Sequence, residues 1–101
     1  MLTNKQKGYL RSLANGMHPI IQVGKDGLNE GLLETIKNAL EARELIKISI
    51  LQNCSESQEL LVEEISKASG SEIVQKIGRI LILYKKSENS DNQKISNTKI
   101  F

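Results

Sequence analysis

Cysteine, histidine and proline each occur once in these 101 residues, and tryptophan is absent. A single thiol, Cys54, excludes an internal disulfide and any multi-thiolate metal site, so nothing in the cysteine content argues for an oxidising compartment. The one histidine, His18, stands beside Pro19 with no cysteine or carboxylate pair at ligand or triad spacing. A loop or packing role suits it better than catalysis. Cys54 precedes a helix start, where the helix dipole lowers a thiol pKa, but no second histidine is available as its base. Neither an enzyme nor a cofactor is expected. Apolar runs are short: none approaches the ~18 residues of a membrane span, and "MLTNKQKGYLRSLANG" is too polar for the core of a signal peptide. The expectation is a soluble, cytoplasmic protein with no membrane partner. Without a secretory signal, the sequon Asn53-Cys54-Ser55 carries no weight.

Acid is missing from the first 25 residues, which hold Lys5, Lys7, Arg11 and Lys25. Residues 55 to 72 hold Glu56, Glu59, Glu63, Glu64 and Glu72 against Lys67. A net charge of +2 therefore conceals a basic pole and an acidic pole. The length suits one domain with one core.

The pattern along the chain reads α-β-α-β-α-β-β. Thr3-Asn4-Lys5-Gln6 has capping-box spacing and opens a helix over roughly 3 to 14, closed by Asn15-Gly16. "IIQV" at 20 to 23 is short, β-branched and bounded by Pro19 and Gly24, which predicts a strand. Asn29 is a good N-cap for a second helix with an apolar stripe of Leu32, Leu33, Ile36, Ala39 and Leu40. "ELIKISIL" at 44 to 51 alternates as a half-buried strand does. A second capping box, Ser55 to Gln58, opens a third helix with Leu61, Ile65 and Ala68 inside and Gly70 at its end. "EIVQKI" and "ILILY" flank Gly78-Arg79 as a hairpin. Two successive strand-helix-strand units imply parallel strands, with both helices on one face if the crossovers advance the same way. How much of the other face the first helix covers is left open. A folded domain over 1–86 is thus expected, followed by a tail over 87–101, "SENSDNQKISNTKIF", with too few apolar groups to repay ordering and so expected to be disordered.

Gly24-Lys25-Asp26-Gly27 stands at the mouth of the second helix. Glycines accept positive φ and let another backbone come close, and amides at a helix start point outward with the dipole behind them. The spacing matches neither a Walker loop nor a dinucleotide fingerprint. Two readings remain: a GxxG clamp on the sugar-phosphate backbone of nucleic acid, as in KH domains, or a plain β-to-α turn.

"HPIIQVGKDGLNEGLLETIKNALEARELIKISI" followed by "EEISKASGSEIVQKIGRILILYKK" resembles the bacterial YhbY family, the stand-alone form of the CRM domain, over roughly residues 2 to 86. The resemblance implies an α+β, two-layer fold with a four-stranded mixed sheet in the order 1-2-4-3, like the C-terminal domain of translation initiation factor three. It implies RNA binding on precursors of the large ribosomal subunit. The family's GxxG maps onto Gly24, Lys25, Asp26 and Gly27. Its tyrosine-basic strand end maps onto Tyr84 and Lys85, where lysine keeps the charge of the more usual arginine without its planar fork. On this reading Lys25 and the loop amides hold phosphates, and Lys5, Lys7, Arg11, Lys76, Arg79, Lys85 and Lys86 supply the surrounding field. Tyr9, Tyr84 and Phe101 are too few for a stacking platform of the RRM kind, so shape and backbone should dominate recognition. The expected partners are ribosomal RNA or its precursor and the pre-ribosomal particle, bound by a monomer. The alternative is a protein-protein adapter that docks through the acidic third helix on a ribosomal protein or assembly factor.

Overall fold

The computed structural model describes residues 2–52 and 57–101. Helix α1 (Asn4–Ala14) carries the expected capping box: Thr3 Oγ1 accepts from the Gln6 N–H at 3.1 Å, and the Thr3 N–H donates to Gln6 Oε1 at 2.8 Å. Strand β1 (Ile21–Val23) leads to α2 (Glu30–Arg43), where Asn29 Oδ1 caps the Leu32 N–H at 2.8 Å. Strand β2 (Leu45–Ile50) follows directly. Helix α3 (Gln58–Ser69) ends on Gly70, at φ 70°. Its N-cap is Ser57, whose side chain makes no capping bond. Ser55 and Glu56 of the expected capping box, and Asn53 and Cys54 before them, lie outside the described residues. Strands β3 (Glu72–Ile77) and β4 (Ile80–Tyr84) form the hairpin.

The sheet runs β1-β2-β4-β3, with β1 and β2 parallel and the other two pairs antiparallel. Alternation along β2 sorts the core into two clusters. Ile46, Ile48 and Ile50 face α2 and α3, packing with Ile36, Leu40, Leu61 and Ile65 from the helices and Leu81 and Leu83 from β4. Leu45 faces the other way and packs with Leu10 and Ala14 of α1, together with Val74, Ile82 and Tyr84. Val74 takes that face by ordinary alternation with Ile73, and the β3–β4 register shifts by one residue between Ile73 and Gln75. The expected two layers are thus α2 and α3 on one face of the sheet, and α1 adds cover on the face whose occupancy the sequence left open.

The tail differs from expectation. Residues 87–92 lie against the end of α2, with a short 3-10 turn (Ser90–Asn92), and the chain then brings Ile95 and Phe101 onto the α1-side cluster, with Ser87 and Ser96 buried. The reason is Glu44. It sits between α2 and β2 at φ 65°, an unusual conformation for a side-chain-bearing residue, and is fully buried. Its carboxylate accepts from the Ser87 N–H (2.7 Å), the Ile95 N–H (3.2 Å), the Ser96 N–H (3.0 Å) and Ser96 Oγ (2.6 Å). Burial pushes its pKa up, but these hydrogen bonds outweigh burial and hold it below the ordinary value. Glu41, one turn earlier, accepts from Ser87 Oγ at 2.8 Å and the Glu88 N–H at 2.7 Å. Polar latching thus supplies what the sparse apolar side chains of the tail do not.

Candidate nucleic-acid interface

Strand directions decide which basic groups share an end of the sheet. The C-terminal ends of parallel β1 and β2 lie together, joined by the Leu51 N–H donating to the Val23 carbonyl at 2.8 Å. The antiparallel hairpin brings its turn to the same end, where the Ile50 N–H donates to the Arg79 carbonyl at 2.7 Å. The Gly24–Gly27 turn, Lys76 and Arg79 therefore converge on one end. Lys25, Asp26, Lys76 and Arg79 are exposed there, and Lys76 Nζ donates to the Gly78 carbonyl at 2.7 Å.

Within the turn the two glycines have different reasons to be glycine. The Gly27 N–H closes the turn on the Gly24 carbonyl at 3.0 Å, and Gly27 is buried at φ 64°, a left-handed conformation that any side chain strains. Gly24 has no such constraint. A Cβ there would meet nothing nearer than Leu51 Cδ1 at 3.6 Å, an ordinary contact. The fold requires Gly27 and tolerates a side chain at Gly24. Just beyond, α2 begins with first-turn amides that lack intrahelical partners apart from the one Asn29 caps.

The other sequence-expected residues lie elsewhere. Tyr84 ends β4 at the opposite end of the sheet, four steps or about 14 Å from Ile80, and Lys85 follows it. Tyr84 is 5% exposed: its ring stacks on Phe101 (centroids 5.1 Å apart, planes at 29°) and its hydroxyl pairs with Ser96 Oγ. Burial, with the Glu44 and Glu72 carboxylates, pushes the phenol pKa up although the Ser96 bond opposes this. As placed, Tyr84 offers no open face to a ligand. The Lys85 side chain lies toward Gly70 at the C-terminal end of α3, with Cε 3.7 Å from where a Gly70 Cβ would be, and Lys86 is exposed. Lys5, Lys7 and Arg11 ride on α1 across the second face. Reading the sequence alone misses the gathering of Tyr9, Tyr84 and Phe101, all the aromatics of the chain, into one cluster. It also misses Glu44; the available signal was the lack of a glycine between α2 and β2, where a helix commonly ends on one.

A family model for the CRS1/YhbY (CRM) domain matches residues 2–85. The chain belongs to the CRM domain family. Among CRM relatives, "Probable RNA-binding protein YqeI" of Bacillus subtilis is 51% identical over 90 residues, 89% of this chain and 94% of the relative. An "RNA-binding protein" of Haemophilus influenzae is 39% identical over 92 residues, 91% and 93% of the two chains. The solution structure of the hypothetical protein SAV1595 from Staphylococcus aureus is similar with a TM-score of 0.74 at 48% identity, covering 89% of this chain and 94% of that one. The CRM match stops one residue after Tyr84, so the latched segment 87–101 lies outside it.

Proposed function

We propose that this CRM domain is a non-catalytic, cytoplasmic RNA-binding protein that acts as a monomer on ribosomal RNA of precursor large subunits, with the Gly24–Gly27 turn as its phosphate clamp. The observation that carries this reading is the difference between the two glycines. Gly27 is explained by the backbone, whereas the bare Cα of Gly24 is unexplained by the fold and suits close approach of another backbone. Lys25, Lys76 and Arg79 at the same end supply positive field, and relatives named as RNA-binding proteins support RNA as the ligand. The basic residues of α1 and Lys86 widen the field.

Titration of the full chain with a ribosomal RNA fragment at rising salt tests it. The expected result is affinity that falls steeply, because each phosphate met by a cation releases counterions. Lys25→Gln should weaken binding to unrelated sequences about equally and make the salt slope shallower, since a phosphate contact carries no base information. Binding that is flat in salt, or absent, removes the electrostatic clamp. The adapter reading would then gain, for α3 exposes Glu59, Glu63 and Glu64 beside Leu60, which is 66% exposed.

A further inference from the structure

The aromatic cluster and the latched tail have a joint meaning. Phe101 lies on Tyr84 in the offset-stacked manner of a nucleobase on an aromatic ring, and meets Tyr9 edge-on at 6.5 Å. The neighbourhood carries both signs: Lys5 and Lys7 flank Gln6, whose Nε2 donates to the Ile100 carbonyl at 3.1 Å, and Lys86 follows the strand that ends in Tyr84, while Glu72 pairs across the sheet from Tyr84 and the Glu44 carboxylate lies behind Ser96. Anchoring is uneven along the tail. Residues 87–96 are tied down by the Glu41 and Glu44 carboxylates. Beyond Ser96 the segment is held by the Gln6 bond, by the Asn97 N–H on the Gln93 carbonyl and by Phe101, which touches the two tyrosine rings and packs against the second core cluster. The last residues also hold themselves in local turns, with the Thr98 N–H on the Ile95 carbonyl and the Phe101 N–H on the Thr98 carbonyl. Movement of this segment about Ser96 breaks the bonds of Asn97 to the Gln93 carbonyl and of Thr98 to the Ile95 carbonyl, and leaves the Glu41 and Glu44 latch in place.

We infer that residues 97–101 form a displaceable flap in which Phe101 occupies, within the molecule, a stacking site for an unpaired base of bound RNA, at the end of the sheet opposite the glycine turn. The inference rests on the RNA-binding reading above. Opening the flap removes the Phe101 ring from Tyr84 and Tyr9, so a strand held by its phosphates at one end can set a base on the rings at the other. While closed, the flap lowers the apparent affinity in proportion to the open fraction.

The chain has no tryptophan, so Phe101→Trp places a single reporter on the flap of the 101-residue chain. Adding a short single-stranded oligonucleotide should shift its emission to the red as the ring leaves Tyr84 for water, in step with saturation measured by anisotropy of labelled RNA. In a second variant, Phe101→Ala, affinity for the same oligonucleotide should rise roughly three- to tenfold, because the competing ring is gone. Affinity for a fully paired duplex should stay the same, since it offers no free base. Saturable binding with unmoved emission overturns the flap and leaves the RNA-binding reading intact, as does weaker or unchanged single-strand binding by Phe101→Ala. Absence of binding by the unaltered chain and both variants overturns the two together.

Discussion

Glu44→Ala is expected to lower stability by about 2–3 kcal/mol and to release the tail, read as an earlier urea midpoint and rapid proteolysis after Lys86. Four donors converge on the buried carboxylate, and a hydrogen bond to a charged group contributes more than one between neutral groups. The loss is capped, because a detached tail satisfies its own donors with water. Glu44→Gly separates the latch from the backbone: it removes the same bonds but relieves the φ of 65°, so it should be about 1 kcal/mol more stable than the alanine variant. Equal stability of the alanine variant and the unaltered chain would show that the latch does not hold the tail. Acid should act as the alanine change does. A carboxyl whose folded-state pKa is depressed contributes stability that is present above the ordinary value of 4.5 and lost as pH falls through the folded-state value. Glu41, lowered chiefly by the Glu88 N–H and then by Ser87, acts in the same direction. Tail protection against protease should therefore fall below about pH 4.5 in the unaltered chain and show no such transition in Glu44→Ala.

Gly24→Asp should leave the melting temperature nearly unchanged while reducing RNA affinity by roughly tenfold or more. A side chain at this position meets only Leu51 Cδ1 at an ordinary distance, so the fold accepts it. The phosphate backbone proposed to lie there meets both bulk and negative charge. Gly27→Asp should do the reverse in first order, because a side chain at φ 64° in a buried turn strains the backbone by ~1–2 kcal/mol before any ligand arrives. The two variants together distinguish clamp from turn better than either alone, provided affinity is expressed per folded molecule. Full binding by a well-folded Gly24→Asp protein would move the interface from the loop to α1 and the far end of β4.

The elements, their order and most of their ends were legible in the sequence because each depended on neighbours a few residues apart. Thr3 and Gln6 close a capping box, Asn29 caps α2, Gly70 ends α3, and the alternation of Ile46, Ile48 and Ile50 marks β2 with its buried face. The glycine turn was legible in the same way, down to its position ahead of a helix. The strand order 1-2-4-3 came from the family resemblance, since local pattern does not say which strands pair. Only the tertiary structure could divide the basic residues between two ends of the sheet, because strand direction sets which turns meet. It alone could bury Tyr84, whose cover comes from a residue 17 positions later. The tail shows the difference most plainly. Judged by its own composition it lacks the apolar area to offset its ordering entropy, and that judgement is sound for an isolated segment. What orders it is a carboxylate more than 40 residues earlier, held inward by an unusual φ at a helix end, and hydrogen bonds across that separation exist only once the sheet has brought their two partners together.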